Sequence, residues 1–189
     1  MTPTLTTALI GEATAAKRLM LVLGGTVLIA LAARVSVPMI PVPMTLQTLA
    51  ILVVGLLFGA RLGAATLLAY LGEGAMGLPV FAGGNGGFAY MMGPTGGFLA
   101  GFVLMAWIAG HGSDRGWTRG FPGAALVALV AAAVLYLPGL AWPALVMGKT
   151  VPELVSGWML PFLAGDAVKA VLAALVVSGG WAALGARRG

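Results

Sequence analysis

Asp166 and Lys169 stand three residues apart in PFLAGDAVKA (161–170), at the head of a long apolar run near the end of the chain. On a helix this spacing puts both side chains on one face, within reach of each other. In a low-dielectric setting each charge then offsets much of the desolvation cost of the other. Two readings are open: an ion pair that fixes helix packing, or a polar clamp at the floor of a ligand cavity. Asn85, in a glycine-rich stretch, and Gln47, just after IPVPMT, add two amides that each offer donors and acceptors. Four such groups converging in an apolar shell suit a small, partly polar molecule. Glu73, in YLGEGAMG, is a further acid inside an apolar run, suited to pairing with Lys169 or to carrying a proton.

Membrane helices must position these residues. Of the 189 residues 60% are hydrophobic and 8% charged, with a mean hydropathy of +1.06, whereas a soluble domain carries about 25% charged residues. The chain therefore reads as an all-α integral membrane protein. Apolar length and Gly/Pro punctuation place six transmembrane helices at about 19–36, 45–60, 62–79, 94–110, 122–141 and 160–184. This gives an N-terminal segment (1–18), a single six-helix membrane domain (19–186) and a short tail (187–189). Lys17, Arg18, Arg61, Arg115, Arg119, Arg187 and Arg188 fall on one side of that arrangement, and only Arg34 and Lys149 on the other. The positive-inside rule then makes the N-terminus and C-terminus cytoplasmic. The uncharged connections SVPMIPVPMTLQ and GLPVFAGGNGGFAYMMGPTGG lie outside. The second, between helices 3 and 4, carries eight glycines in twenty-one residues interrupted by Phe81, Phe88, Tyr90 and Met91, and reads as an ordered lid or re-entrant loop rather than a flexible linker.

Several features point away from other functions. The net charge of +5 is dispersed between apolar runs and forms no nucleic-acid stripe. Without cysteine, neither a disulfide framework nor a thiolate metal site is available. PALVMGKT (143–150) ends like a phosphate-binding loop, but Pro143 occupies the place of the first glycine and no strand precedes it. His111 has no second ligand at metal-binding spacing. No nucleophile with a paired base is evident, so the chain does not read as an enzyme.

The stretches IPVPMTLQTLAILVVGLLFGARLGAATLLAYLGEGAMGLPVFAGGNGG, GPTGGFLAGF and GDAVKA closely resemble the BioY family, the biotin-specific substrate-binding (S) components of energy-coupling factor (ECF) transporters. The resemblance runs from Arg34 to Lys169. It implies a six-helix fold, high-affinity capture of biotin from the outer side of the cell membrane, and biotin contacts at Asp166, Lys169 and Asn85. Biotin's ureido ring has two N–H donors and one carbonyl. Asp166 would accept an N–H, and Lys169 or Asn85 would donate to the carbonyl. Gln47 joins this polar set. Phe81, Tyr90, Met91, Met92 and Trp158 are expected along the thiophane ring and valeryl chain, and Arg34 is the nearest outer candidate for the carboxylate. The resemblance further implies a transmembrane coupling (T) subunit and two ATP-binding-cassette ATPases as partners, with biotin as substrate and no cofactor. Family S components commonly dock through an Ala-x-x-x-Ala face in the first span, where this chain offers only Thr26-x-x-x-Ala30; Ala124, Ala128 and Ala132 line one face of span five. The alternatives are an ion-coupled secondary transporter using Glu73 or Asp166, and a non-transporting membrane interaction protein.

Overall fold

The computed structural model describes residues 3–11 and 13–186. Arg187 and Arg188, two of the cations used for orientation, and the 187–189 tail lie outside the described residues. The rest is mainly helical. A short helix α1 (Leu5–Ile10) precedes α2 (Ala15–Arg34), whose N-cap Thr14 accepts the Lys17 N–H. A two-residue antiparallel ladder follows, β1 (Ser36–Val37) with β2 (Met44–Thr45), in the register Ser36 to Thr45 and Val37 to Met44. Then come α3 (Gln47–Phe58), α4 (Ala60–Ala75), a single turn Ala82–Gly84, α5 (Phe88–Met91), α6 (Gly96–Asp114) and α7 (Phe121–Met147). The last limb is continuous, running through α8 (Val151–Leu154), a π-helical turn (Val155–Met159) and α9 (Leu160–Ala186).

Four helical stretches are long and apolar enough to cross a membrane: Ala15–Arg34, Gly96–Asp114, Phe121–Met147 and Val151–Gly185. α3 and α4, with 12 and 16 residues, reach about 18 and 24 Å at 1.5 Å per residue, short of the roughly 30 Å of hydrocarbon. The N-terminal segment is not detached from the bundle. Leu5 is buried and packs on Gly180 of α9.

α6 is the central element, packed on α7, α3 and α4, while α9 packs on α7 and α3. The sequence expects the fifth span to stop near residue 141. α7 instead continues through Pro138 and Pro143 to Met147. Close packing supports it there: α6 presents Gly97 to the Pro138 carbonyl, and Gly101 to Leu135 and Pro138, where a methyl group would meet both at 2.8 Å. Helix-breaking residues are tolerated in membrane helices where neighbours pack closely on the interrupted backbone. Ile29, Ile51, Leu52, Leu56, Leu67, Met105 and Val177 fill the main core, and Val42, Leu154, Trp158 and Phe162 form a second cluster around Tyr136.

At the end opposite the ladder, Asp114 Oδ2 accepts the Ala60 N–H at 3.1 Å, capping α4. The segment Pro143–Thr150 is likewise structural. Gly148 ends α7 in the left-handed region, and Thr150 and Glu153 form a reciprocal capping box in which Glu153 also takes the Lys149 ammonium at 2.9 Å.

Candidate functional site

α9 holds Asp166 and Lys169 one turn apart, with the Lys169 Nζ 2.8 Å from Asp166 Oδ1. Both are almost fully buried, at 8% and 6% exposure. Burial at this level would be costly for either charge alone, so the pairing accounts for their coexistence. Two further elements complete the group. Thr48, at the start of α3, accepts from Lys169 Nζ at 2.9 Å and donates to Asp166 Oδ1 at 3.3 Å. Tyr136, in the middle of α7, donates to Asp166 Oδ2 at 2.6 Å. Two of the three ammonium hydrogens of Lys169 are therefore committed and one is spare, while Asp166 keeps lone pairs for a further donor.

This group forms one wall of a cavity with about 70 Å³ of room for water-sized centres. The other walls are mostly apolar, with Val42, Pro43 and Met44 from the first connection, Phe98, Leu99 and Phe102 from α6, Leu135 from α7 and Phe162 from α9. Such a lining, apolar with a few convergent polar groups, suits a small ligand. The β1–β2 ladder matters here because it closes residues 36–45 into a loop that delivers Thr45, Gln47 and Thr48 to the rim.

Gln47 lines the cavity, but its amide is largely engaged. Nε2 donates to Tyr70 Oη at 2.7 Å, Tyr70 donates to the Val80 carbonyl at 2.8 Å, and Thr45 Oγ1 donates to Gln47 Oε1 at 3.1 Å. This chain of bonds ties the first connection, α3 and α4 to the glycine-rich segment. Tyr90 lines the cavity and stacks on Phe81 with ring centroids 5.5 Å apart. Phe81 itself is fully buried behind it, edge-on to Tyr70, and belongs to the core.

Asn85 is not brought to the Asp166 group. It borders a second, outer cavity with Ser36, Pro38, Pro41 and Gly83, and its Nδ2 donates to the Ala82 carbonyl at 2.7 Å. Pro43, Ala82, Tyr90 and Thr95 border both cavities, which therefore adjoin. Arg34 lies against the glycine-rich segment: Nη2 donates to the Pro79 carbonyl at 2.7 Å, and a methyl group on Gly84 would stand 2.5 Å from Nη1. Gly84 also has φ +78°, a backbone region that favours glycine, whereas the exposed Arg34 end could swing aside. Met91 packs on the main core, Met92 is exposed, and Trp158 is buried in the second cluster; none of the three lines either cavity. Lys169 pairs with Asp166 rather than with Glu73. His111 stacks on Trp107 at 4.9 Å.

Sequence reasoning did not single out Thr48, Tyr136, Phe98, Phe102 or Phe162. Thr48 directly follows Gln47 in a stretch already marked, and Tyr136 is a lone polar tip within VLYLPGL. Those two signals were present. The phenylalanines carry none, because an aromatic in a membrane helix packs against protein or lipid with equal ease.

A family model described as the BioY family matches residues 3–186. A probable biotin transporter BioY of Pyrococcus horikoshii is 38% identical over 161 residues, covering 85% of this chain and 94% of the relative. The biotin transporter BioY of Rhizobium etli is 39% identical over 149 residues, covering 75% and 79%. Among solved structures, the crystal structure of the S-component for biotin from an ECF-type ABC transporter matches with a TM-score of 0.76 and 27% identity, covering 89% of this chain and 94% of that one. The family model spans nearly all of the described residues, and the chain belongs to the BioY family.

Proposed function

We propose that this protein is the biotin-binding S component of an ECF-type transporter, capturing biotin at the outer face of the cell membrane and delivering it inward. The observation that carries the reading is the floor of the inner cavity. Asp166 offers an acceptor for a ureido N–H, and the spare N–H of Lys169 offers a donor for the ureido carbonyl. Phe98, Phe102, Phe162 and Tyr90 supply apolar surface for the bicyclic ring. The valeryl chain points into the outer cavity, where Ser36 and Asn85 meet its carboxylate end. Gln47 and Phe81 act from behind, Gln47 by fixing Tyr70 and Phe81 by backing Tyr90. An ion-coupled mechanism is less well supported: Lys169 already neutralises Asp166, and Glu73 is not among the residues lining either cavity.

Energy would come from partners, a T subunit and two ATP-binding-cassette ATPases, since the PALVMGKT segment serves as a helix cap and a capping box. We place both termini in the cytoplasm, with α3 and α4 as short crossings that complete six. Local thinning of the bilayer accommodates spans of that length.

The deciding experiment is equilibrium biotin binding to the detergent-purified full chain. Saturable binding is expected, and its absence at millimolar biotin would overturn the reading. Reporter fusions at residue 189 and at Lys149 test the orientation, with activity expected on opposite sides of the membrane. Co-purification from a host expressing the ATPases and T subunit tests the assembly.

A further inference from the structure

A serine or threonine inside a helix commonly returns its hydroxyl to a backbone carbonyl three or four residues earlier. Thr26 does so to Leu23 at 3.0 Å, Thr66 to Leu62 at 2.8 Å and Ser178 to Ala174 at 2.7 Å. Thr48 does not. It is the second residue of α3, so the residue four places back, Met44, lies in β2, outside the helix. Its hydroxyl is used across the bundle instead, on the buried pair of α9. The direction of each bond follows from the groups involved. The Lys169 ammonium has hydrogens and no lone pair, so Thr48 Oγ1 accepts from it at 2.9 Å, and the hydroxyl's own hydrogen goes to Asp166 Oδ1 at 3.3 Å.

Asp166 by itself leaves the ammonium loosely defined. The two residues share one helix, and the flexible four-carbon stem of a lysine can swing Nζ around a single carboxylate oxygen while the 2.8 Å contact is kept. Thr48 adds a second fixed point on a different helix. With both bonds made, Nζ is held between α3 and α9, and its one remaining hydrogen has a set direction. Thr48, Asp166 and Lys169 all line the inner cavity.

We infer that Thr48 is a positioning residue for the Lys169 donor, holding Nζ where its spare N–H meets the carbonyl of a bound cyclic urea and so making that carbonyl part of what the site selects. The inference rests on the biotin reading above and deepens it, since it assigns the geometry of the carbonyl contact to a residue outside the charged pair.

The test measures the affinities of biotin and of 2′-thiobiotin, whose ureido oxygen is replaced by a weakly accepting sulfur, on detergent-purified full chains. The unsubstituted chain is compared with Thr48→Val, which keeps the shape but neither accepts nor donates, with Thr48→Ser, which keeps the hydroxyl, and with Thr48→Cys, whose thiol is a weaker acceptor. Thr48→Val is expected to bind biotin at least about tenfold more weakly, as for a lost hydrogen bond to a charged group in a desolvated site. Its preference for biotin over 2′-thiobiotin is expected to shrink at least about threefold, while Thr48→Ser keeps that preference. Thr48→Cys is expected to shrink it in the same direction, and it decides the matter if the valine variant does not fold. Equal weakening of both ligands, with the preference unchanged, would overturn the inference by reducing Thr48 to a packing role; unchanged biotin affinity would overturn it as well. An unsubstituted chain that binds the two ligands alike would also overturn it, because no donor then reads the carbonyl, yet it would leave biotin binding itself intact. Failure of the unsubstituted chain to bind biotin would instead remove the functional reading on which the inference stands.

Discussion

Tyr136 and Asp166 lie on different helices, thirty residues apart, and meet in a 2.6 Å hydrogen bond inside the bundle. The phenol reaches the carboxylate oxygen that Lys169 leaves free, so α7 and α9 are joined at the floor of the cavity by a charge-assisted bond. Tyr136→Phe keeps the ring and its edge-on contact with Phe98 but removes the donor. We expect a loss of about 1.5–3 kcal/mol in stability, the usual worth of a hydrogen bond to a charged group. Thermal unfolding of the purified variant measures it, and an unaltered midpoint would mean that the bond contributes nothing net.

Asp166 and Lys169 separate packing from binding when they are replaced one at a time and then together. Lys169→Met alone strands a buried carboxylate and should cost about 3–5 kcal/mol, whereas Asp166→Leu with Lys169→Met leaves no unpaired charge and should fold nearly normally. The double variant is nevertheless expected to lose biotin. Unfolding and binding, read on the same three samples, give the answer; a folded double variant with normal affinity would reduce the pair to a packing device.

Asp114 is a structural acid. A solvated connection is where its sequence position would put it, but its carboxylate caps the first turn of α4. Asp114→Ala should therefore cost about 1 kcal/mol, as for the loss of a helix cap, with biotin affinity unchanged because the site is at the other end of the bundle. An affinity shift without a stability shift would contradict this placement.

Gly84 and Arg34 make a matched pair at the glycine-rich segment. Gly84→Ala puts a side chain at a backbone angle of +78° and displaces the movable Arg34 end; the backbone strain costs of order 1–3 kcal/mol. We expect faster limited proteolysis within residues 77–87 and weaker biotin binding. Identical cleavage rates in variant and parent would show that the segment absorbs the change.

The parts of the site that were legible in the sequence are those set by local geometry. The Asp166–Lys169 pair is fixed by one helical turn, so spacing alone reveals it. The glycine-rich segment is visible because its backbone angles demand glycine. Tyr136, Thr48 and Asp114 owe their roles to helices that meet only in the folded bundle, and nothing within a few residues of each encodes the partner. Asn85 illustrates the converse. Its side chain was expected beside Asp166, yet it closes on its own turn at Ala82 and faces the outer cavity. The reach of α7 was underestimated because proline is read as a stop, while the two glycines of α6 that accommodate Pro138 lie some forty residues earlier in the chain.

The i,i+3 placement of the buried pair also bears on how the protein is made. Synthesis proceeds from the N-terminus, so α9 emerges after α3 and α7. Its two charges neutralise each other within a single turn of the same segment. The helix therefore enters the lipid as a locally neutral unit and needs no earlier span to supply a counter-ion. What earlier spans do supply, the Thr48 and Tyr136 hydroxyls, is gained only on docking. Asp166 and Lys169 thus carry their own neutralisation into the lipid, while their bonds to Thr48 and Tyr136 depend on α9 packing against α3 and α7.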